Sequence, residues 1–314
     1  MPALITHHLF GEESIDCLPA GIIGTDEERT AFLIANQGPD PYFFRVRTPR
    51  MASCMSLARS LHRCRISRQF EALSTGVEHL YPRDAHVGRA FVLGLFSHYA
   101  LDRAAHPFVY AQQWGAQEVD PSLEPAASQV HAIIESDIDV LMLQLKRHGA
   151  TVEDCPPERE LATSARVDKV AGALMSYVAS SVYGIEIGAQ EYGGAVADMQ
   201  LAYRVIEPAD SPACQLLGAL EGAVRGNSIL AALAHRVTAE PPLRAGNMGH
   251  LAWKNPFTDV ESHESFPEVF DRALDEYERD IACLIAGDPL EQATHHLNYS
   301  GRPLGEAEEL DQDD

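Results

Sequence analysis

The sequence predicts an all-α protein, a multi-helix bundle, on three observations. Apolar residues recur every three to four positions in most long segments, convincing strand alternation is scarce, and proline and glycine fall where helices must stop. Helices are expected near residues 27–36, 51–65, 85–106, 126–147, 160–182, 194–205, 212–235 and 266–286. The last is the best punctuated: Ser265 and Glu268 form a capping box, Pro267 sits in the first turn, and Gly287 and Pro289 close it. Proline and glycine cluster at 37–41, 107–125 and 237–257, which read as loops.

At 314 residues the chain is long enough to bury a substantial core, and its apolar fraction of 46% is ordinary for a globular protein. The expected organisation is a metal-binding helical region over 1–150, a helical continuation packing on the same domain over 151–302, and an acidic disordered tail over 303–314. No window approaches the roughly 18 uncharged apolar residues of a membrane span. No basic segment followed by an apolar core opens the chain, so a cytoplasmic protein is expected. The six cysteines show no CxxC spacing and read as reduced, packed thiols. A net charge of −22 repels polyanions, which disfavours a nucleic-acid partner.

Two segments carry the chemistry. In Phe91-Val-Leu-Gly-Leu-Phe-Ser-His98-Tyr-Ala-Leu-Asp102-Arg-Ala-Ala-His106-Pro107, residues four apart drift only about 40° around a helix. His98, Asp102 and His106 therefore form one stripe. Phe91, Gly94, Leu95, Leu101 and Ala105 share that face, while Arg89 and Arg103 lie opposite. Pro107 disfavours helical geometry at His106, which is expected to mark the helix end. In the second segment His131 and Glu135 are again four apart, beside the apolar arc of Val130, Ile134, Ile138, Leu141, Met142 and Leu145; Asp139 falls beyond its edge.

A single histidine on an apolar face is more often a hydrogen-bonded core residue than a ligand. Two inward His-xxx-acid pairs within about 40 residues, with a further histidine beside one, instead suggest a metal site in the bundle core. His62 shares a helical face with Met51, Met55 and Ala58. Asp40, in Gln37-Gly-Pro-Asp40-Pro, lies in a turn, and Thr6-His7-His8 is weak by spacing alone. The aromatic run at 41–44 can line a substrate mouth or pack inside. His235, His250, His263, His295 and His296 build no comparable set, and the spaced pairs Asp259–His263 and Glu291–His295 lie on no convincing apolar face.

In order, Thr6-His7-xxx-Gly11, Gly38-Pro39-Asp40, His62, His98-xxx-Asp102-xxx-His106-Pro107 and His131-xxx-Glu135 resemble the zinc-dependent phospholipase C family, whose all-α fold is shared with S1/P1-type nucleases. The likeness covers roughly residues 1–140. It implies one zinc on His62, His98 and Asp102 and a second on His106, His131 and Glu135. A third would take Asp102 as a bridge and His7 as side-chain ligand, with His8 its rival. Secreted members use a processed α-amino group there, whereas this chain begins Met1-Pro2, so the third zinc stays open. Asp40 would be the general base. The implied function is hydrolysis of a phosphoester, either phospholipid or a small soluble phosphodiester, by metal-bound hydroxide. The alternatives are an S1/P1-like nuclease and a non-catalytic, metal-stabilised binding protein. Oligomeric state is not readable from the sequence.

Overall fold

The computed structural model describes residues 3–305 and Glu308. Twelve α-helices appear among them. In chain order they are α1 (Leu4–Asp16), α2 (Asp26–Ala35), α3 (Met51–Arg63), α4 (Ile66–Glu78), α5 (Pro82–Val119), α6 (Ala127–Lys146), α7 (Ala165–Tyr183), α8 (Gln190–Ile206), α9 (Pro212–Arg225), α10 (Ile229–Ala232), α11 (Phe266–Ala286) and α12 (Leu290–Thr294). A single antiparallel pair, β1 (Trp253–Lys254) and β2 (Glu261–Ser262), accompanies them. The all-α expectation thus agrees with the structure. No helix of the described residues is long and apolar enough to cross a membrane.

Helix α5 is the axis. Its 38 residues span about 57 Å at 1.5 Å per residue. It packs against α1, α2, α4, α6, α7 and α11. Surrounded on all sides, it is buried almost continuously from Val87 to Val109, as a helix at the centre of a large core must be. Arg103, opposite His98 on the wheel, is buried as well, and the Asp280 carboxylate neutralises it. The apolar core runs from Leu4 to Leu304 and joins both halves of the chain.

Helix α5 does not stop at His106. It continues through Pro107 to Val119, so part of the expected 107–125 loop is helical. A proline inside a helix leaves the carbonyl four residues earlier without its N–H donor. Here the turn around Gly301 fills that notch. A β-carbon on Gly301 would stand 2.4 Å from the Arg103 carbonyl oxygen and 2.7 Å from Pro107 Cγ, and its φ of +72° is one that glycine tolerates freely.

Besides the short α12, helices α1 and α4 are absent from the sequence expectation. Neither carries a side-chain N-cap: Ala3 precedes α1 and left-handed Arg65 precedes α4. The Thr25/Glu28 box of α2 and the Ser265/Glu268 pair of α11 start their helices within a residue of the expected position, whereas α7, capped by Ser164, starts at Ala165 rather than at 160. The expected helix over 212–235 is two pieces, α9 and α10. Pro303, Leu304 and Glu308, assigned by sequence to the acidic tail, take part in order: Pro303 bridges Leu297, Leu304 is buried, and the Glu308 carbonyl accepts from the Arg65 N–H. Residues 306, 307 and 309–314 of that tail lie outside the described residues.

Candidate metal centre

Four histidines share one arrangement. His62 Nδ1 lies 2.7 Å from the Ala58 carbonyl, one turn back on α3. His98 Nδ1 lies 2.9 Å from the Asn36 carbonyl, at the end of α2. His106 Nδ1 is 2.7 Å from the Tyr299 carbonyl, and His131 Nδ1 is 2.9 Å from Gln113 Oε1 on α5. Each acceptor is an oxygen without a proton, so each Nδ1 donates. Every one of these rings, when neutral, therefore presents an Nε2 lone pair. Holding the far ring nitrogen on a carbonyl is how metal-ligating histidines are oriented.

The Nε2 atoms point at carboxylates. His98 Nε2 stands 3.3 Å from Asp102 Oδ2, and His62 Nε2 3.1 Å from Asp40 Oδ1 and 3.9 Å from Asp102 Oδ2. His131 Nε2 is 3.2 Å and His106 Nε2 3.7 Å from Glu135 Oε1. Ligand atoms bound to one tetrahedral zinc at 2.0–2.2 Å stand about 3.3 Å apart, so these separations suit donors around a shared ion.

Several of the buried polar atoms left without a partner sit in the same place. Among the described residues, Asp40 Oδ1, His98 Nε2, His7 Nδ1 and Glu135 Oε2 are fully buried without a hydrogen bond; His8 Nδ1, Gln37 Oε1 and the Tyr42 and Tyr203 hydroxyls are the others. An unsatisfied buried polar atom costs about 1–3 kcal/mol, more when charged. Asp40, His98 and His7 belong to one group of donors and Glu135 to another, and a cation bound in each would satisfy these atoms. The donor set of imidazoles and carboxylates fits zinc. His62, His98 and Asp102 form one group whose ligand atoms lie within 4.8 Å of one another; His106, His131 and Glu135 form a second, and His7, Asp40 and His98 a third.

These are not three independent sites. His98 has only Nε2 to offer, because Nδ1 is engaged with Asn36. The first and third groups both need that atom, so they describe one composite site around His98. The second group stands apart from it, with Asp102 between: Asp102 Oδ1 is 3.0 Å from His7 Nε2 and 3.7 Å from His106 Nδ1. Asp40, expected as a general base, is here within ligand distance as well. His7 stacks on His98 with ring centroids 4.1 Å apart, whereas the rival His8 turns to Glu160 at 2.7 Å.

Gly38 makes the composite site possible. Its φ is +56°, and a β-carbon there would stand 2.2 Å from the His98 ring. Any other residue would push His98 out of place. The expected inward His106 stripe holds, although Pro107 does not end the helix: the Tyr299 carbonyl orients the ring in place of the helix terminus.

Charge follows the same geometry. Burial would raise the carboxyl of Asp102, but His106 and His98 outweigh it and hold the group well below the usual carboxylate range. Burial likewise opposes ionisation of Asp40 and Glu135, yet His62 keeps the first low and His131 with His106 the second. Burial pushes His106 down, while Asp102 and Glu135 lift it to about 9. His7 is lowered, by burial and then by His98. The metal-free site thus keeps its carboxylates ionised, and those carboxylates raise His98 and His106 so that a proton is favoured there.

A cavity of about 20 Å³ is bounded by Thr6, His7, Asp102, His106 and Glu135, room for about one water. Beyond His131 an open pocket of about 230 Å³ is lined by Tyr110, Gln113, Ala127 and Ser128. Tyr110 packs against Trp114 and Phe257 there. This aromatic wall is not foreseen, since residues 107–125 are expected to form a loop. The 41–44 run does not form a mouth: Tyr42 and Phe44 are buried in the core, and only Phe43 leans on His62.

Two further residues escaped the sequence reading. Asp139, placed beyond the edge of the apolar arc of α6, is fully buried, because α1 covers that side; Leu145, placed in the arc, is 45% exposed. His235 is buried between Asp139 and Glu207.

No protein-family model matches the chain, and neither a curated protein nor a solved structure does.

Proposed function

We propose that the chain is a zinc-dependent hydrolase of phosphoester bonds, working in the manner of the zinc-dependent phospholipases C that its residue series resembles. The observation that carries this reading is the convergence of fixed histidine Nε2 atoms and buried, unpartnered carboxylate oxygens on one volume inside the bundle. His62, His98 and Asp102, with His7 and Asp40 beside them, would hold one zinc. His106, His131 and Glu135 would hold another.

Zinc bound there would lower the pKa of a bound water toward about 7 and neutralise phosphoryl oxygens. The chain's own part is positional. The Asn36, Ala58 and Tyr299 carbonyls and the Gln113 side chain fix the imidazoles, so no ring reorganises during turnover. Asp102 stands between the two groups and ties them at a fixed separation. Asp40 keeps one oxygen unpartnered, and if it is not taken up as a ligand that oxygen can accept a proton from an attacking water. The pocket beyond His131 would receive the substrate, with Tyr110 and Ser128 on its wall. With a net charge of −22 the chain repels long polyanions, which favours a small phosphodiester or a phospholipid headgroup over nucleic acid.

The zinc-loaded chain is to be assayed on bis-p-nitrophenyl phosphate, phosphatidylcholine and single-stranded DNA. Hydrolysis of either of the first two, abolished by His98→Ala and by Glu135→Ala, is the expected result. DNA cleavage alone would favour an S1/P1-like nuclease. Bound zinc with no turnover on any of the three would favour a metal-stabilised binding protein.

A further inference from the structure

Helix α1 begins without a cap of its own. Ala3 offers no side-chain acceptor, yet the first backbone N–H groups of a helix need partners. They find one on another helix. Asp139 Oδ2 accepts from the Ile5 N–H at 3.0 Å, and Asp139 Oδ1 from the Thr6 N–H at 2.7 Å and the Thr6 hydroxyl at 2.6 Å. A carboxylate at a helix N-terminus is also favoured by the helix dipole. The next residue in α1 is His7.

Asp139 is itself held. His235 Nε2 stands 3.0 Å from Asp139 Oδ2, and His235 Nδ1 2.5 Å from Glu207 Oε1. Both partners are carboxylates, so both ring nitrogens donate and the imidazole is a cation. Glu207 also accepts from the His235 backbone N–H. The three groups form a closed, buried chain that joins the end of α8 to α6 and, through Asp139, to the first turn of α1.

The placement on α6 is what connects this chain to the metal centre. His131, Glu135 and Asp139 are each one helical turn apart. Two of them face the centre, and the third grips the helix that delivers His7 into it. We propose, on the metal-centre reading above, that Asp139 is a positioning residue for the zinc site that includes His7, with His235 and Glu207 holding its carboxylate in place. The second half of the chain would then contribute to the site through this clamp.

The test is zinc titration of the full chain against a chromophoric chelator, for wild type, Asp139→Asn, Thr6→Val, His7→Ala and the His7→Ala/Asp139→Asn pair, with circular dichroism as the check on folding. Asp139→Asn should weaken one zinc equivalent by about 10- to 100-fold, as loss of an outer-shell partner does. It should be the same equivalent that His7→Ala weakens, and the equivalent on His106, His131 and Glu135 should be unchanged. The double variant should lose no more than His7→Ala alone, because the clamp acts through His7. Should Asp139→Asn not fold, Thr6→Val must show the same selectivity, at a few-fold. Wild-type affinity for both equivalents in a folded variant overturns the proposal. So does equal weakening of both, which would make the clamp a general packing element. A wild-type chain that takes up no zinc overturns the metal reading itself, and is recognised by the absence of any equivalent to compare.

Discussion

The molecule contains two buried clusters of histidine and carboxylate, and they are built to opposite rules. In the Asp139–His235–Glu207 cluster both ring nitrogens of the histidine are paired and both Asp139 oxygens accept hydrogen bonds, Oδ1 two of them from Thr6 alone. In the cluster around His98 and Glu135 the outer ring nitrogens are paired, but His98 Nε2, His7 Nδ1, Asp40 Oδ1 and Glu135 Oε2 are not. The first cluster is complete as a protein structure. The second is complete only with something added. Composition does not distinguish them, since both are imidazoles beside carboxylates. The distinguishing feature is whether any buried polar atom remains without a partner.

Removing the inner donors should have the largest effect. Glu135→Ala or His98→Ala should each abolish one zinc equivalent and bring hydrolysis to background, read by metal analysis and by turnover of bis-p-nitrophenyl phosphate. A retained equivalent in either variant would break the comparison at its main point.

Second comes the backbone that makes room for His98. Gly38→Ala puts a methyl group against the ring at a positive φ, a strain of about 1–3 kcal/mol before the clash is counted. It should lower both the unfolding temperature and zinc affinity at the composite site. Gly301→Ala, against the Arg103 carbonyl, should destabilise similarly, and should disturb the Tyr299 carbonyl that orients His106.

A smaller effect is expected at Gln113, which touches only the far side of the His131 ring. Gln113→Ala should weaken zinc by about 10- to 100-fold without abolishing it. A variant indistinguishable from wild type in chelator competition would show that the ring needs no such support.

The pH responses separate the clusters by what they change, stability at one and zinc affinity at the other. His235 is raised to about 10: burial acts to lower it, but the hydrogen bonds to Asp139 and Glu207 prevail. A histidine raised above its unfolded value of about 6.5 stabilises fully below that pH, and the contribution is lost as pH climbs toward 10. Metal-free protein should therefore lose stability across that window in thermal melts, and His235→Gln should flatten this part of the profile. At the other cluster, zinc must displace the proton on His106, so affinity there should rise with pH up to about 9.

How much of this was legible in the sequence depends on where each signal resides. The His98, Asp102 and His106 stripe and the His131, Glu135 pair lie within single helices, so spacing alone brings them to one face. Their common destination follows from α5 packing against α6. Helix α1 was not legible because its cap comes from Asp139, more than 130 residues away. Separation also hid His235, whose partners stand 96 residues away on α6 and 28 away at the end of α8. Pro107 misled for a similar reason. The turn that repairs the helix there belongs to Gly301, and no local pattern links the two. Asp40, His62 and His7 entered only through resemblance to a family; the structure brings all three against His98 or Asp102.

The most direct test of the central claim is the metal content and thermal stability of the purified full chain, before and after chelation and after return of zinc. Two zinc equivalents per chain, a melting temperature that falls on chelation and recovers with zinc, and no such response in the His98→Ala/Glu135→Ala double variant are the predicted results. A wild-type chain with no bound zinc, whose melting temperature is indifferent to chelator and to added metal, would contradict the account.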